Sequence, residues 1–211
     1  QMNYIQDKEL GYDKENLMVV KRVEALQEQK DVFKEELSGF PGVIQSGFTT
    51  SMPNMLFGTN PFRPEGTTAA GTHTINHWMV GFDLEQTLEM EMIEGRWFSR
   101  DFLSDTLGLV MNESAARALG MEDPLDKNLL LVGGIGDGDL PLRIIGIVKD
   151  FHYESIHNSI QPLVITFLPP QYSSYLIVRI QPENYERTVS LIRRKWKEFV
   201  PGQPFEYSFL E

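Results

Sequence analysis

Apolar and polar positions along this chain switch between two periods. Val23, Leu26, Phe33 and Leu37 recur at helical spacing. Tyr185, Val189, Ile192, Trp196 and Phe199 alternate steps of four and three. These patterns predict helices over 22–37 and 184–199, with Lys30 interrupting the first face. Gly39 with Pro41, and Pro201 with Gly202, supply the stops. Runs rich in β-branched and aromatic residues predict strands at 17–20, 43–48, 74–80, 107–111, 129–132, 142–148, 163–165, 175–180 and 205–210. Residues 82–87 read as a helical turn, 88–93 as extended, and Asn112 as the cap of a short helix closed by Gly120. The result is a mixed α/β chain, and 143–165 is its most informative stretch: strand, polar His-bearing excursion, strand.

Residues 49–72 break the pattern. They are rich in Pro, Gly and Thr without a period, which predicts a loop longer than a compact domain usually carries. Met52, Met55, Leu56, Phe57 and Phe62 stand in it as apolar groups. Such groups either tuck onto the domain or meet a partner, so these five are the candidate partner-contact residues. On that reading Phe57→Ala and Phe62→Ala impair function and leave thermal stability nearly unchanged.

Composition narrows the function classes. The 211 residues carry a formal charge of −11, which repels nucleic acid and anionic lipid alike. Arg193, Arg194, Lys195 and Lys197 cluster, but near a helix C-terminus, where the dipole favours positive charge. The absence of Cys excludes disulfides, thiol catalysis and Cys-ligated metal, and is compatible with the periplasm. No apolar stretch reaches the roughly 20 residues that span a bilayer. The first residue is Gln1 rather than Met, so a fragment of a longer protein is the expectation.

Each candidate for chemistry meets a plainer alternative. Asp150, His152 and Glu154 alternate on one strand face, but the outer two are then about 13 Å apart, too far to share an ion. A metal-dependent hydrolase using His152, Glu154 and His157 remains an alternative function. His73 and His77 would be about 13 Å apart on a strand. The Gly133–Asp139 segment lacks the helix that a phosphate loop needs, and reads as a flexible hairpin or a weak calcium site through Asp137 and Asp139. Asn112-Glu113-Ser114 matches a glycosylation sequon that helix capping also explains. A secreted binding module is the third reading.

Several short pieces then fall into a known order. They are Tyr4-Ile5-Gln6-Asp7-Lys8, Leu10-Gly11-Tyr12, Phe40-Pro41-Gly42-Val43, Gly95-Arg96-Trp97-Phe98-Ser99 and Asn112-Glu113-Ser114-Ala115-Ala116. Ile145-Gly146-Ile147-Val148-Lys149-Asp150-Phe151-His152, continued by Ser155-Ile156-His157, is the strongest, and Phe205-Glu206-Tyr207 follows. On these the chain resembles the MacB-like periplasmic core domain of FtsX/MacB-type ABC transporter permeases, in the form common in Bacteroidetes. One departure is Pro124-Leu125-Asp126-Lys127, where the family often has Gly at the third position; Asp tolerates a left-handed turn.

The resemblance implies an α+β fold in two parts. A porter-like subdomain with βαβ elements is expected from residues 1–95 and 143–211, and a smaller α/β insert from 96–142. It implies no enzyme activity, no cofactor and no metal, and a place on the periplasmic side of the bacterial inner membrane. The implied partners are the membrane helices of the same permease and an ATP-binding subunit acting through the membrane. A periplasmic protein and a second permease copy are further candidates, and nucleic acid is not. The implied role is to pass on motion driven by ATP hydrolysis.

Overall fold

In the computed structural model, residues 12, 15–53, 55, 57–135, 138–153 and 159–210 are described. In chain order the elements are β1 (Leu17–Lys21), α1 (Lys30–Ser38), β2 (Val43–Thr49), β3 (Gly58–Pro64) and β4 (His73–Val80). Next come α2 (Leu84–Leu88), β5 (Met92–Gly95), β6 (Gly108–Asn112), α3 (Glu113–Ala118) and β7 (Asn128–Ile135). The last are β8 (Gly138–Val148), β9 (Leu163–Phe167), β10 (Tyr175–Ile180), α4 (Tyr185–Phe199) and β11 (Tyr207–Phe209). They divide between two compact units, residues 13–52, 80–89 and 168–211 in one, and 1–12, 53–79 and 90–167 in the other.

The first unit is built from both chain ends. Its strands run β11-β1-β10-β2, each antiparallel to its neighbour. Helix α1 therefore joins two parallel strands with β10 between them, and α4 joins β10 to β11 with β1 between them. Two interlocked split βαβ units result. Phe33 and Leu37 of α1 and Val189, Ile192 and Trp196 of α4 bury against Met18, Val20, Phe48, Leu176 and Val178. On the opposite sheet face Gly47 leaves room for α2, because a Cβ there would strike the Leu84 backbone.

The expected helix over 22–37 is interrupted. Gln27 has φ 51° and ψ −124°, so residues 23–29 form a 3-10 segment and α1 starts at Lys30. Lys30 is buried, and its ammonium donates to the carbonyls of Gln171 (2.9 Å) and Ser173 (2.7 Å). Burial lowers its pKa. The residue that breaks the apolar pattern is therefore a tether inside the fold.

The second unit is a closed barrel. The order β4-β3-β7-β8-β6-β9 returns to β4, with β6 and β8 running parallel and β5 added beside β8. All six strands contribute to one core: Phe62, Ile75, Leu109, Leu129, Ile144 and Val164 are its representatives. Ala115 and Leu119 add the apolar side of α3 and its end. The predicted loop over 49–72 is thus corrected, since 58–64 is strand β3. Its prolines hid it. Pro61 pairs only with β4 and Pro64 only with β7, so each sits where one strand side needs no donor.

The boundaries of the expected insert also differ. A cut at 142/143 would divide β8, whose residues on both sides of it are paired. The barrel takes in 53–79 and 90–167 rather than 96–142 alone.

Asn112 ties three barrel elements together. Its Oδ1 accepts from the backbone N–H of Ala115 at the start of α3 and of Leu163 at the start of β9, both at 2.9 Å. Its Nδ2 donates to the Gln161 carbonyl at 3.0 Å. The side chain is fully buried, which removes the sequon reading. Asn112→Ala loses a helix cap and strands the buried Leu163 donor, so urea unfolding is expected to show a loss of about 2–4 kcal/mol.

Candidate functional site

Three of the motifs that carry the resemblance, those at 95–99, 112–116 and 145–152, converge in the barrel. Asp150 accepts from the Ser114 N–H (2.9 Å), the Ser114 hydroxyl (2.8 Å) and Arg117 (2.6 Å). In return the Asp150 N–H donates to Glu113 Oε2 at 3.0 Å. The segment after β8 and the first turn of α3 therefore satisfy each other's backbone donors, as a capping box does within one helix. The Gly95-Arg96 segment lies against the same strand. Arg96 N–H donates to the Ile145 carbonyl at 3.0 Å. Gly95 has φ +73° and Gly146 faces the Arg96 carbonyl, and a Cβ at either would overlap backbone. Asp126 has φ 64°, the left-handed turn expected of it.

Arg96 then builds a turn. Its guanidinium donates to both carboxylate oxygens of Asp105 at 2.6 and 2.8 Å, and Ser99 N–H adds a third bond at 2.8 Å. Asp105 is buried, which alone would raise its pKa; the Arg96 and Ser99 bonds outweigh that and hold it below the usual carboxylate range. The same guanidinium lies 4.1 Å above the Phe102 ring. Residues 103–107 form the 3-10 turn so fixed, and Phe102, Leu103 and Leu107 point outward from it. By residue pattern 95–105 reads as a turn region; the signal of outward apolar groups is the three apolar residues inside Asp101-Phe102-Leu103-Ser104-Asp105-Thr106-Leu107.

The candidate partner-contact residues separate. Phe62 is fully buried in the barrel core, with its ring edge-on to His77 at 5.4 Å. Phe57 is buried between Trp78 and Tyr153, each ring 4.9 Å away. Both are core, a correction that follows for Phe62 from β3 being a strand and for Phe57 from its ring stack. Met52 is half-buried and Met55 is 37% exposed. Leu56 lies outside the described residues.

The proposed metal ligands are also separated or occupied. The oxygens of Asp150 are taken by Ser114 and Arg117. Glu154, His157 and Asp137 lie outside the described residues. Asp139 pairs with Arg63. His73 is exposed. His77 bonds Asn60 Nδ2 through Nδ1 (2.8 Å) and Thr166 Oγ1 through Nε2 (2.7 Å), which fits the neutral Nε2–H tautomer. Among the described residues no three His, Asp or Glu side chains are grouped to hold a metal ion.

Comparison with known proteins places the whole arrangement. No protein-family model and no curated protein matches the chain. The periplasmic region of MacB from Actinobacillus actinomycetemcomitans superposes with a TM-score of 0.65 at 16% identity, covering 99% of this chain and 94% of that one. The chain has the fold of MacB-like periplasmic domains. A domain assigned to a permease protein of Porphyromonas gingivalis matches this chain at TM-score 0.64 and 20% identity, over 93% of this chain and 90% of that one. The extracellular domain of the ABC-type transporter YknZ from Gram-positive bacteria matches at TM-score 0.61 and 16% identity, over 93% and 100%. Among the described residues no helix is long and apolar enough to cross a membrane.

Phe57→Ala and Phe62→Ala are each expected to lower unfolding stability by about 3–5 kcal/mol, and Met55→Ala to leave it nearly unchanged, in urea melts. Burial depresses the His77 pKa from 6.5 to about 4. A base with a depressed folded pKa binds its proton better when unfolded, so stability is complete above pH 6.5 and falls as pH drops towards 4. His77→Gln should flatten that part of the stability–pH curve.

Proposed function

We propose that the chain is an extracytoplasmic domain of an ABC transporter permease, lying on the outer side of the inner membrane, and that it passes on motion generated by ATP hydrolysis in another subunit or domain. The observation that carries this reading is the MacB-like fold shared over nearly the whole chain with domains of that kind. The geometry of the chain-end unit supports it. β1 and β11 pair side by side, and Leu210 N–H donates to the Leu17 carbonyl at 3.0 Å. Segments leaving the outer ends of these strands start from neighbouring points, as two adjacent membrane helices require. A pull on either strand is shared through the ladder and through the Arg22–Glu206 ion pair.

In this reading the porter-like part is the unit with split βαβ topology, and the barrel is the larger insert. The domain performs no catalysis of its own. It contacts a partner outside the membrane, and the permease works as a pair of copies. Met52 and Met55 remain candidate contacts on the strand connection after β2.

The full-length gene should place apolar stretches of about 20 residues on both sides of this segment. Motion is measured with one spin label. The chain contains no cysteine, so Ile44→Cys, at an exposed site of β2, gives a single label in the domain. In the full-length permease with its ATP-binding subunit, the label-to-label distance between two copies should shift between the nucleotide-free and ATP–vanadate states. An unchanged distance distribution would contradict transmission of motion.

A further inference from the structure

We propose that residues 22–38 are a two-state element: a bent form, latched by Lys30 on the carbonyls of Gln171 and Ser173, and one continuous helix that forms when the latch releases. The inference goes beyond the motion-transmitting role proposed above and rests on that reading only for what drives the change. It starts from a conflict between sequence and backbone. Residues 22–38 contain neither Gly nor Pro, and Val23, Leu26, Phe33 and Leu37 recur on one helical face. The local preference is a single helix. The backbone nevertheless breaks at Gln27, with φ 51° and ψ −124°. That combination is open to glycine and strained for any residue with a side chain. Arg22, at the other end of the short 3-10 piece, is left-handed as well, at φ 60°.

The latch carries a cost of its own. The Lys30 ammonium is taken out of water and answered by two neutral carbonyls, at 2.9 and 2.7 Å. The Ser173 hydroxyl of the same turn is buried and has no hydrogen-bond partner among the described residues. What offsets the backbone strain and the desolvation is the burial of Val23 and Leu26 in the core of the chain-end unit. Strained backbone that persists only because its surroundings hold it is characteristic of switch segments. Here the observed outlier and the side chain that holds it lie three residues apart.

The bend also lies where a load would reach it. β1 ends at Lys21, whose N–H donates to the Glu206 carbonyl at 2.9 Å, and Arg22 pairs with the Glu206 carboxylate at 2.8 Å. A displacement of β1 or β11 therefore arrives at the first residue of the segment. The far end is held: Phe33 of α1 meets Trp196 of α4 edge-on at 5.9 Å, inside the same core. Between a strand that moves and a helix that is held, the 3-10 piece with its break at Gln27 is the compliant link. Release of the two carbonyl bonds lets Gln27 return to helical angles and α1 extend towards β1.

The test places two spin labels, at Glu24→Cys and Glu35→Cys, both exposed sites of a chain that has no cysteine. The full-length permease with its ATP-binding subunit is used, with cysteines elsewhere replaced and labelled copies diluted by unlabelled ones. In a continuous helix these sites are about 16–17 Å apart along the axis and share a face, and the bend at Gln27 gives a different separation. Without nucleotide the bent distance should dominate, and the ATP–vanadate state should add the helical one. Lys30→Met keeps the stem and removes both bonds, so it should raise the helical population at least about tenfold without nucleotide. Gln27→Gly removes the strain of the bend, so it should raise the melting temperature and abolish the helical population; in a continuous helix the same change lowers stability. A helical population that Lys30→Met does not raise, or a melting temperature that Gln27→Gly lowers, would overturn the proposal. The sign of the Gln27→Gly shift decides the matter alone should Lys30→Met fail to fold. The Lys30→Met arm needs no nucleotide and so separates the two readings. A helical population there, with no wild-type response to ATP–vanadate, would uphold the two-state element and count against transmission of motion.

Discussion

The barrel is organised around one buried amide. Asn112 ends β6, caps α3 and holds the first residue of β9, so one side chain fixes β6 and the helix that follows it to a strand 51 residues further on. Each of its hydrogen-bonding groups is used. A buried amide so satisfied is directional: no apolar residue of similar volume can supply an acceptor to two backbone donors and a donor to a carbonyl. Asp150 reinforces the same helix from the end of β8. Without this joint the parallel β6–β8 pair would keep its ladder, but α3 and the β9 return would lose their register.

The residue types that first suggest catalysis thereby acquire another purpose. Asp150, a candidate in the sequence beside His152 and Glu154, accepts from the Ser114 N–H and hydroxyl, and its own N–H donates to Glu113. His77 is a neutral cross-strand pin between Asn60 and Thr166. Lys30 holds the turn after β9 by its carbonyls. Polar side chains used in this way stiffen a body, and stiffness is what a domain that transmits displacement needs. The MacB-like fold and the proposed mechanical role therefore rest on the same bonds.

Much of this was legible in the sequence. The helix at α4, the cap at Asn112, the β7–β8 hairpin and the left-handed Asp126 follow from local rules of period, capping and turn chemistry. What failed was non-local. β3 was hidden because its prolines are tolerated only through a staggered pairing with two different strands, which no local pattern announces. The break at Gln27 has no breaker residue in it; Lys30 burial depends on carbonyls about 140 residues away. Phe57 and Phe62 read in the sequence as either tucked or partner-facing, because neither the strand that buries one of them nor the ring stack that buries the other is announced by a local pattern. The outward turn at 102–107 was missed for the opposite reason: its apolar residues are exposed by an Arg96–Asp105 bond that spacing alone does not reveal.

The central claim is that the barrel unit is a rigid body pinned at Asn112. Native-state hydrogen exchange of the Ala115 and Leu163 amides, both bonded to the Asn112 carbonyl oxygen, tests it most directly. The account predicts that both exchange only through global unfolding, with the full stability of the unit, and that ATP turnover in the full-length permease does not speed them. Fast exchange of either amide by local opening, or acceleration during turnover, would contradict it.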